Sequence, residues 1–334
     1  DTVAVDGMSV EPFGGELRDG RVYGRGASDD KGPMAAMLAA LSRVSEGPSR
    51  ERRPTIVLAL TVNEECGFTG AQALCHLWAP VGTPPTSLDI GIAGGTLTPV
   101  DLFPRKPDAA IVAEPTDLNV VVAQQGMVRW RCHTEGRAAH SSRPGEGVNA
   151  IYAMSQVLQA IERFHAERMA PAPEHPLCGR PAACVTTIRG GVGINTVPDR
   201  ATIEIDRRIT PGDDPAAVYQ QMIDYVAERV DVGCARLVHD APFMQSRGLS
   251  DASNGTIAER LAQLVRDAGR ASALVGAPYG TDAAAYGASG VPTVVFGPGS
   301  VRQAHTADEY IDVNELVLGT QILEQIANRG LRQS

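Results

Sequence analysis

The order of the hydrophobic segments is the feature that most restricts the fold of this chain. From Gly126 to about Leu237 the sequence predicts a strand, a long helix, two strands, a second helix and a final strand. Apolar runs of strand length alternate with helical patterns on both sides of this region. Such alternation is typical of an α/β layer, whereas the central order is typical of a small α+β sandwich with an antiparallel sheet. We therefore expect an α/β domain into which an α+β domain is inserted.

The expected domains are residues 1–125 and 239–334 for the α/β part and residues 126–238 for the insertion. A chain of 334 residues can hold two cores, since single cores rarely exceed roughly 250 to 300 residues. A hairpin is predicted at Asp19-Gly20, and a helix after Asp30 with Met34, Met37, Leu38 and Leu41 at helical spacing. The remaining patterns predict buried strands at 55–62, 109–113 and 292–296, a loop around Pro84, and helices at 148–168, 215–230, 257–268 and 313–327.

Composition argues against two classes of partner. The chain has 30 basic and 39 acidic residues, a formal net charge of −9, and no long basic run, so we expect neither nucleic acid nor an anionic membrane as partner. Its apolar runs are shorter than the ~20 residues of a membrane span. The six cysteines form no CxxC pair, which favours reduced thiols and a cytoplasmic protein.

Acidic residues follow predicted strands or lie in turns at three places. They are Asp29-Asp30 before the first helix, Glu64-Glu65 after the run 55–62, and Glu114 after the run 109–113. Ligands of α/β sheets bind at the carboxyl ends of strands, so these carboxylates are expected to converge. Converging carboxylates repel one another, and a divalent cation relieves the repulsion. His305 adds an imidazole, and oxygen and imidazole ligands together suit zinc or a similar metal.

Seven short motifs extend through nearly the whole chain. They are Asp1-Thr2-Val3, Gly24–Gly32, Asn63–Gly67, Glu114-Pro115-Thr116, His140-Ser141-Ser142, Gly280–Ala283 and Phe296–Thr306. In this order they resemble the metallo-aminoacylase and exopeptidase family that includes acetylornithine deacetylase, succinyl-diaminopimelate desuccinylase and carboxypeptidase G. The stretch 297–310 resembles the acetylornithine deacetylase branch most. The resemblance implies a zinc-exopeptidase-like catalytic domain with an inserted, ferredoxin-like dimerisation domain.

The same resemblance implies a centre of two divalent cations, zinc or cobalt. Asp29 would bridge the two ions, Glu65 and His305 would complete the first, and Glu114 would bind the second. Glu64 is implied as the general base that deprotonates the attacking water and returns the proton to the leaving amine. Neighbouring residues on an extended strand point apart. The separate roles of Glu64 and Glu65 therefore require a turn of the backbone, which the nearby glycine at position 67 permits.

The sequence departs from the family at its start. The family's ligand histidine lies two positions before the aspartate that corresponds to Asp1, which places it upstream of this chain. The resemblance therefore implies an N-terminally truncated fragment that binds one metal poorly or not at all and is inactive as supplied. Asp1 is implied to orient the missing histidine through its carboxylate.

Five further residues receive roles from the resemblance. His140 would reach into the partner subunit's active site and polarise the scissile carbonyl, which implies a homodimer. Asn195 and Arg208 match positions that hold the substrate carboxylate, and Gly280 and Thr281 would line the pocket. From the residues alone, Arg208 could equally pair with a neighbouring acid on a sheet. His140 alone would more often be a surface or core histidine.

The implied activity is hydrolysis of a linear amide, in which an acyl group is removed from a small N-acyl amino acid or short peptide. Within the family, a succinyl-diaminopimelate desuccinylase, a dipeptidase or a carboxypeptidase are alternatives, as is a single-metal peptidase. A non-catalytic binding protein that kept the fold is the alternative from another class. The presence of Asp29, Glu64, Glu65, Glu114 and His305 argues against it.

Overall fold

The computed structural model describes residues 1–47, 53–79 and 105–331. The chain divides into two units by its internal contacts. Unit 1 comprises Asp1–Ala123, Leu249–Ala277 and Thr281–Ser334, and unit 2 comprises Gln124–Gly248 and Pro278–Gly280. The predicted class, mixed α/β with an inserted α+β sandwich, is confirmed. The loop predicted around Pro84 lies outside the described residues.

The elements are numbered along the chain. The helices are α1 (Lys31–Glu46), α2 (Thr69–Cys75), α3 (Ala150–Phe164), α4 (Pro215–Arg229), α5 (Gly255–Asp267), α6 (Ala283–Ala288) and α7 (Val313–Arg329). The strands are β1 (Glu16–Arg18), β2 (Arg21–Tyr23), β3 (Ala110–Val112), β4 (Val120–Gln124), β5 (Gly126–Glu135), β6 (Ala139–His140), β7 (Ala182–Gly190), β8 (Thr196–Val197), β9 (Arg200–Ile209), β10 (Arg236–His239), β11 (Met244–Ser246), β12 (Leu274–Ala277), β13 (Thr293–Val295) and β14 (Tyr310–Asp312). Of the helices described, none has the length and apolar character needed to cross a membrane.

Unit 1 contains a four-stranded sheet in the order β12-β4-β13-β3. Strands β3 and β13 are parallel, with Ile111 opposite Val294, whereas β4 is antiparallel to β13. The loops that follow β3 and β13 therefore leave the same edge of the sheet. A second sheet has the order β1-β2-β14, and the predicted Asp19-Gly20 hairpin joins its first two strands.

Helix α1 forms where the sequence predicts a helix, but a different face of it is buried. The buried stripe is Ala36, Ala40 and Val44, and α1 packs against α7. Small side chains let two helices approach closely, so they occupy the contact in preference to the larger residues expected there. Leu38, which was expected to face the core, is 47% exposed. The side chain of Asp30 makes no capping hydrogen bond.

The apolar run 55–62 is not the buried parallel strand that the sequence predicts. Leu60 and Val62 are 61% and 66% exposed. A strand in a parallel sheet is buried by helices on both faces and by neighbouring strands at its edges. Within the described residues no strand pairs with this run, so its side chains lack that cover.

Unit 2 has an antiparallel sheet in the order β10-β5-β9-β7, with β11 also paired to β5. Residues of β9 alternate between buried and half-buried along most of the strand, because successive side chains of a strand point to opposite faces. The apolar face packs against α3 and α4 in a core that includes Trp130, Met154, Phe164, Ile203 and Met222. The longer elements follow the order predicted from the sequence, and the two-residue strands β6 and β8 are additional.

Phe164 tests how strongly this core stabilises unit 2. Its ring is fully buried and packs edge-on against Tyr225 at 5.0 Å. We expect Phe164→Ala to lower the free energy of unfolding by about 3–5 kcal/mol, because it removes apolar contacts and leaves a cavity. Tyr152 lies on the same helix but is 73% exposed. Tyr152→Ala should therefore change the free energy of unfolding by less than about 0.5 kcal/mol. Urea denaturation followed by circular dichroism measures the unfolding free energy of both variants. Equal losses in the two variants would contradict the placement of Phe164 in the core.

Candidate metal centre

Three side chains from distant parts of the sequence meet in unit 1. Nε2 of His305 lies 3.3 Å from Oδ2 of Asp29 and 3.1 Å from Oε1 of Glu65. One potential ligand atom from each residue lies within 4.8 Å of the other two. A tetrahedral zinc ion with ligands at about 2.0–2.1 Å holds its donor atoms roughly 3.3 Å apart. The donor types and their spacing therefore fit a zinc-like ion.

The loops that carry Asp29 and His305 are joined directly. Asp29 lies between β2 and α1, and His305 lies between β13 and β14. Oγ of Ser28 donates to the carbonyl of Ser300 at 3.2 Å and accepts from the Ser300 N–H at 3.2 Å. His305 has a φ of 60°, in the left-handed region that a β-carbon disfavours. Backbone strain of this kind is concentrated at functional sites.

Glu64 and Glu65 lie in the turn that precedes α2. The N–H groups of Gly67 and Phe68 both donate to the carbonyl of Asn63, at 3.0 and 2.8 Å. Asn63 has a φ of 71°, a conformation that asparagine tolerates better than most residues. The turn that the sequence requires is therefore present, and Asn63 and Phe68, at its two ends, both have left-handed backbone conformations.

Glu114 follows β3 and is buried. Its loop lies beside the loop after β13, where the Thr116 N–H donates to the carbonyl of Gly297. A β-carbon at position 297 would lie 2.6 Å from the carbonyl oxygen of Glu114, so this approach requires glycine. Glu114 does not join the group of three, but burial and then the charge of Asp29 raise its pKa well above the usual value. It is thus within electrostatic reach of Asp29.

The carboxyl groups of the site resist ionisation. Burial, followed by the charge of Glu65, raises the pKa of Asp29 to about 6. Burial, followed by the charges of Asp282 and Glu65, raises the pKa of Glu64 to about 9. Crowded buried carboxylates favour their protonated forms because like charges repel and water is excluded. A divalent cation would supply the charge that allows them to ionise together.

Asp1 and Asp282 both lie beside the Glu64 turn. Oδ1 of Asp1 accepts a hydrogen bond from the Glu64 N–H at 3.1 Å. Asp282 is 5% exposed, and its Oδ2 accepts from Oγ1 of Thr61 at 2.6 Å. Sequence reasoning gave no role to Asp282, although it lies in the Gly280–Ala283 motif next to Thr281. Thr281 is buried, and its Oγ1 accepts from the Ala283 N–H at 3.2 Å.

Within unit 2, His140 and Asn195 are neighbours. Strands β6 and β8 place His140 opposite Thr196, and the Ser141 N–H donates to the carbonyl of Asn195 at 2.9 Å. The ring of His140 is exposed, and its Nδ1 accepts from the Ser142 N–H at 3.2 Å. In the neutral ring the proton therefore resides on Nε2, which can donate to a ligand.

Arg208 occupies an ion pair on the sheet of unit 2. Its Nε and Nη2 lie 3.0 and 3.2 Å from the two carboxylate oxygens of Asp206. Arg129 contacts the same carboxylate at 2.9 Å. Pairing with a neighbouring acid was the alternative that the sequence left open. Two arginines share one aspartate, so the cluster keeps a net positive charge.

The sequence matches the profile of peptidase family M20/M25/M40 over residues 1–329. The chain belongs to this family. It is therefore a hydrolase of the M20 group, in which activity generally depends on metal. It is 28% identical over 313 residues to acetylornithine deacetylase of Myxococcus xanthus, covering 90% of this chain and 70% of that protein.

Two solved structures show the M20 fold. The metallo-carboxypeptidase Sso-CP2 of Sulfolobus solfataricus matches with a TM-score of 0.71 and 14% identity, over 98% of this chain and 82% of that one. Human carnosine dipeptidase 1 matches with a TM-score of 0.66 and 15% identity, over 96% and 76%. At these identities the likeness supports the fold alone.

The raised pKa of Asp29 predicts how the stability of the metal-free M20 protein depends on pH. Its folded-state pKa of about 6 exceeds the usual 3.8, so between these values the folded protein holds a proton that the unfolded chain releases. Stability contributed by this proton is present below pH 4 and is lost as the pH rises through 6. Asp29→Asn cannot ionise. The metal-free variant should therefore gain roughly 1–3 kcal/mol relative to the parent between pH 4 and 7.

Urea denaturation of both metal-free proteins across this range measures the difference in unfolding free energy. Zinc provides the control, because metal binding requires ionised carboxylates and should stabilise the parent more as the pH rises. A difference between Asp29→Asn and the parent that stays constant with pH would contradict the crowding of charge at Asp29.

Proposed function

We propose that the protein is a two-cation amidohydrolase that removes the acyl group from an N-acyl amino acid. The observation that carries this proposal is the convergence of Asp29, Glu65 and His305 at ligand spacing. Membership of a peptidase family supports amide hydrolysis, and the deacetylase relative supports an acylated amino acid as substrate.

In this proposal Asp29, Glu65 and His305 hold one divalent cation, and Glu114 with Asp29 holds the second. Zinc is the preferred ion because carboxylate and imidazole donors suit it, and cobalt suits the same donors. When bound, such ions lower the pKa of water and polarise the substrate carbonyl. The raised pKa of Glu114 supports its role, since a buried carboxylate near other acids needs a compensating charge.

Glu64 acts as the general base and then as the general acid. Without compensating charge its pKa of about 9 keeps the carboxyl protonated at neutral pH. Positive charge beside Asp29 and Glu65 would lower that pKa and let Glu64 accept a proton from the attacking water. Loss of the proton to the leaving nitrogen then returns Glu64 to its starting state. A pKa near the working pH favours transfer in both directions.

We assign recognition of the substrate's own carboxylate to Asn195 and Arg208, and further contacts with the substrate to Gly280 and Thr281. The net positive charge of the arginine cluster around Asp206 supports recognition of an anion. His140 polarises the scissile carbonyl from the partner subunit of a homodimer. Its exposed ring, with a donor at Nε2, supports that role.

A substrate panel tests the activity with the complete gene product. We expect the highest kcat/KM for N-acetylornithine, with lower values for N-succinyl-diaminopimelate and for dipeptides. We place the activity in amino-acid biosynthesis in the cytoplasm, where single cysteines stay reduced. Preference for dipeptides would replace the deacetylase assignment by a dipeptidase. Zinc binding without turnover of any amide would favour a non-catalytic binding protein.

The roles of the two adjacent glutamates can be separated by substitution. Glu64→Ala should lower kcat by about 100- to 10,000-fold, because it removes the proton acceptor, while metal content stays nearly unchanged. Glu65→Ala is the matched control and should lose metal together with activity. Metal analysis and steady-state kinetics give the metal content and kcat of both variants. Loss of metal from Glu64→Ala would show that the two roles are exchanged.

A further inference from the structure

Glu309 is a buried carboxylate that the proposed chemistry does not use. It is 0% exposed and lies just before β14, four residues after His305. Its side chain contacts the loop between β2 and α1, which carries Asp29. It therefore connects the two segments that supply these metal-site residues.

The carboxylate of Glu309 accepts four hydrogen bonds. Its Oε1 accepts from the N–H groups of Ser28 and Asp29, each at 2.9 Å. Its Oε2 accepts from the Gly26 N–H at 3.0 Å and from Nη1 of Arg25 at 2.7 Å. A carboxylate offers about four acceptor positions, so this one is saturated. Several N–H groups of one loop directed at an anion form a nest that fixes the backbone of that loop.

Arg25 extends this arrangement to two further segments. Its side chain is 4% exposed. Nε donates to the carbonyl of Ala4 at 3.2 Å, in the segment that follows Asp1. Nη1 donates to the carbonyl of Thr306 at 3.3 Å, next to His305. A planar guanidinium can reach several acceptors at fixed angles, which the single ammonium of lysine cannot do.

We propose that Arg25 and Glu309 are positioning residues for the metal centre, which hold Asp29 and His305 at the spacing that binds a cation. The inference rests on the metal site proposed above. Neither side chain contacts the cation in this proposal, since the acceptors of Glu309 are already filled. The pair acts by fixing the backbones of the two ligand-bearing loops, and so it limits how far the carboxylate and imidazole separate when no ion holds them together.

Glu309→Gln tests the inference with almost no change in size. Each carboxylate oxygen receives two donors, so an amide nitrogen in either orientation faces two N–H groups instead of accepting from them. We expect the zinc dissociation constant to rise by about 10- to 100-fold, as is typical when groups that orient metal ligands are lost. The visible absorption spectrum of the cobalt-loaded protein, which reports ligand geometry, should change as well.

Glu315→Gln is the matched control. Glu315 also pairs with an arginine, Arg270 at 2.9 Å, and accepts from one backbone N–H, that of Gly299 at 3.2 Å. Its side chain is 11% exposed. We expect this variant to lose stability but to keep its zinc dissociation constant within about twofold and its cobalt spectrum unchanged.

Arg25→Lys provides a second test that retains the positive charge. It should weaken zinc binding by about tenfold, and it decides the question if Glu309→Gln does not fold. All constants are measured on the complete gene product by competition with a chelator, at a temperature where thermal unfolding shows each variant folded. Zinc affinity and cobalt spectra equal to the parent's in the folded variants would overturn the inference. By contrast, a parent that binds no zinc, or an Asp29→Asn variant that binds it equally well, would overturn the metal site itself.

Discussion

The burial of several carboxyl groups close together is the constraint on which the site depends. Asp29, Glu64 and Glu114 all have a raised pKa, and in each case burial is the largest cause. The shift of Asp29 from 3.8 to about 6 corresponds to roughly 3 kcal/mol at neutral pH. A fold that forces these groups together must supply at least that much free energy elsewhere. A bound cation would offset this cost, because its charge favours the ionised form of the carboxyl groups.

The hydrogen bonds around the ligand loops hold the crowded carboxyl groups in place. Removing one partner of a buried ion pair costs about 3–5 kcal/mol, because the other charge is then buried without compensation. The pair of Arg25 and Glu309 and the reciprocal bonds of Ser28 and Ser300 both act on loops that carry ligands. None of these four side chains is a proposed metal ligand.

Sequence patterns predicted those features that depend on local periodicity. The helical spacing of α3 indicates one buried face, and the helix forms within the predicted residues 148–168. The apolar run 55–62 predicts a buried strand. Burial, however, depends on neighbouring strands that no local pattern specifies. The face of α1 that is buried depends likewise on the approach of α7. Glu309 lies within the stretch 297–310, but its partners are about 280 residues away in sequence, so the motif alone assigns it no role.

The same separation explains why the motifs identify candidate ligands but not their environment. A motif identifies Glu64 as a base through resemblance, whereas its pKa depends on burial and then on the charge of Asp282, a residue 218 positions later that comes close only after folding. In the proposed mechanism a bound cation would lower this pKa and let Glu64 act as the base. Burial and the charge of Asp282 would together make the proposed base depend on the cation.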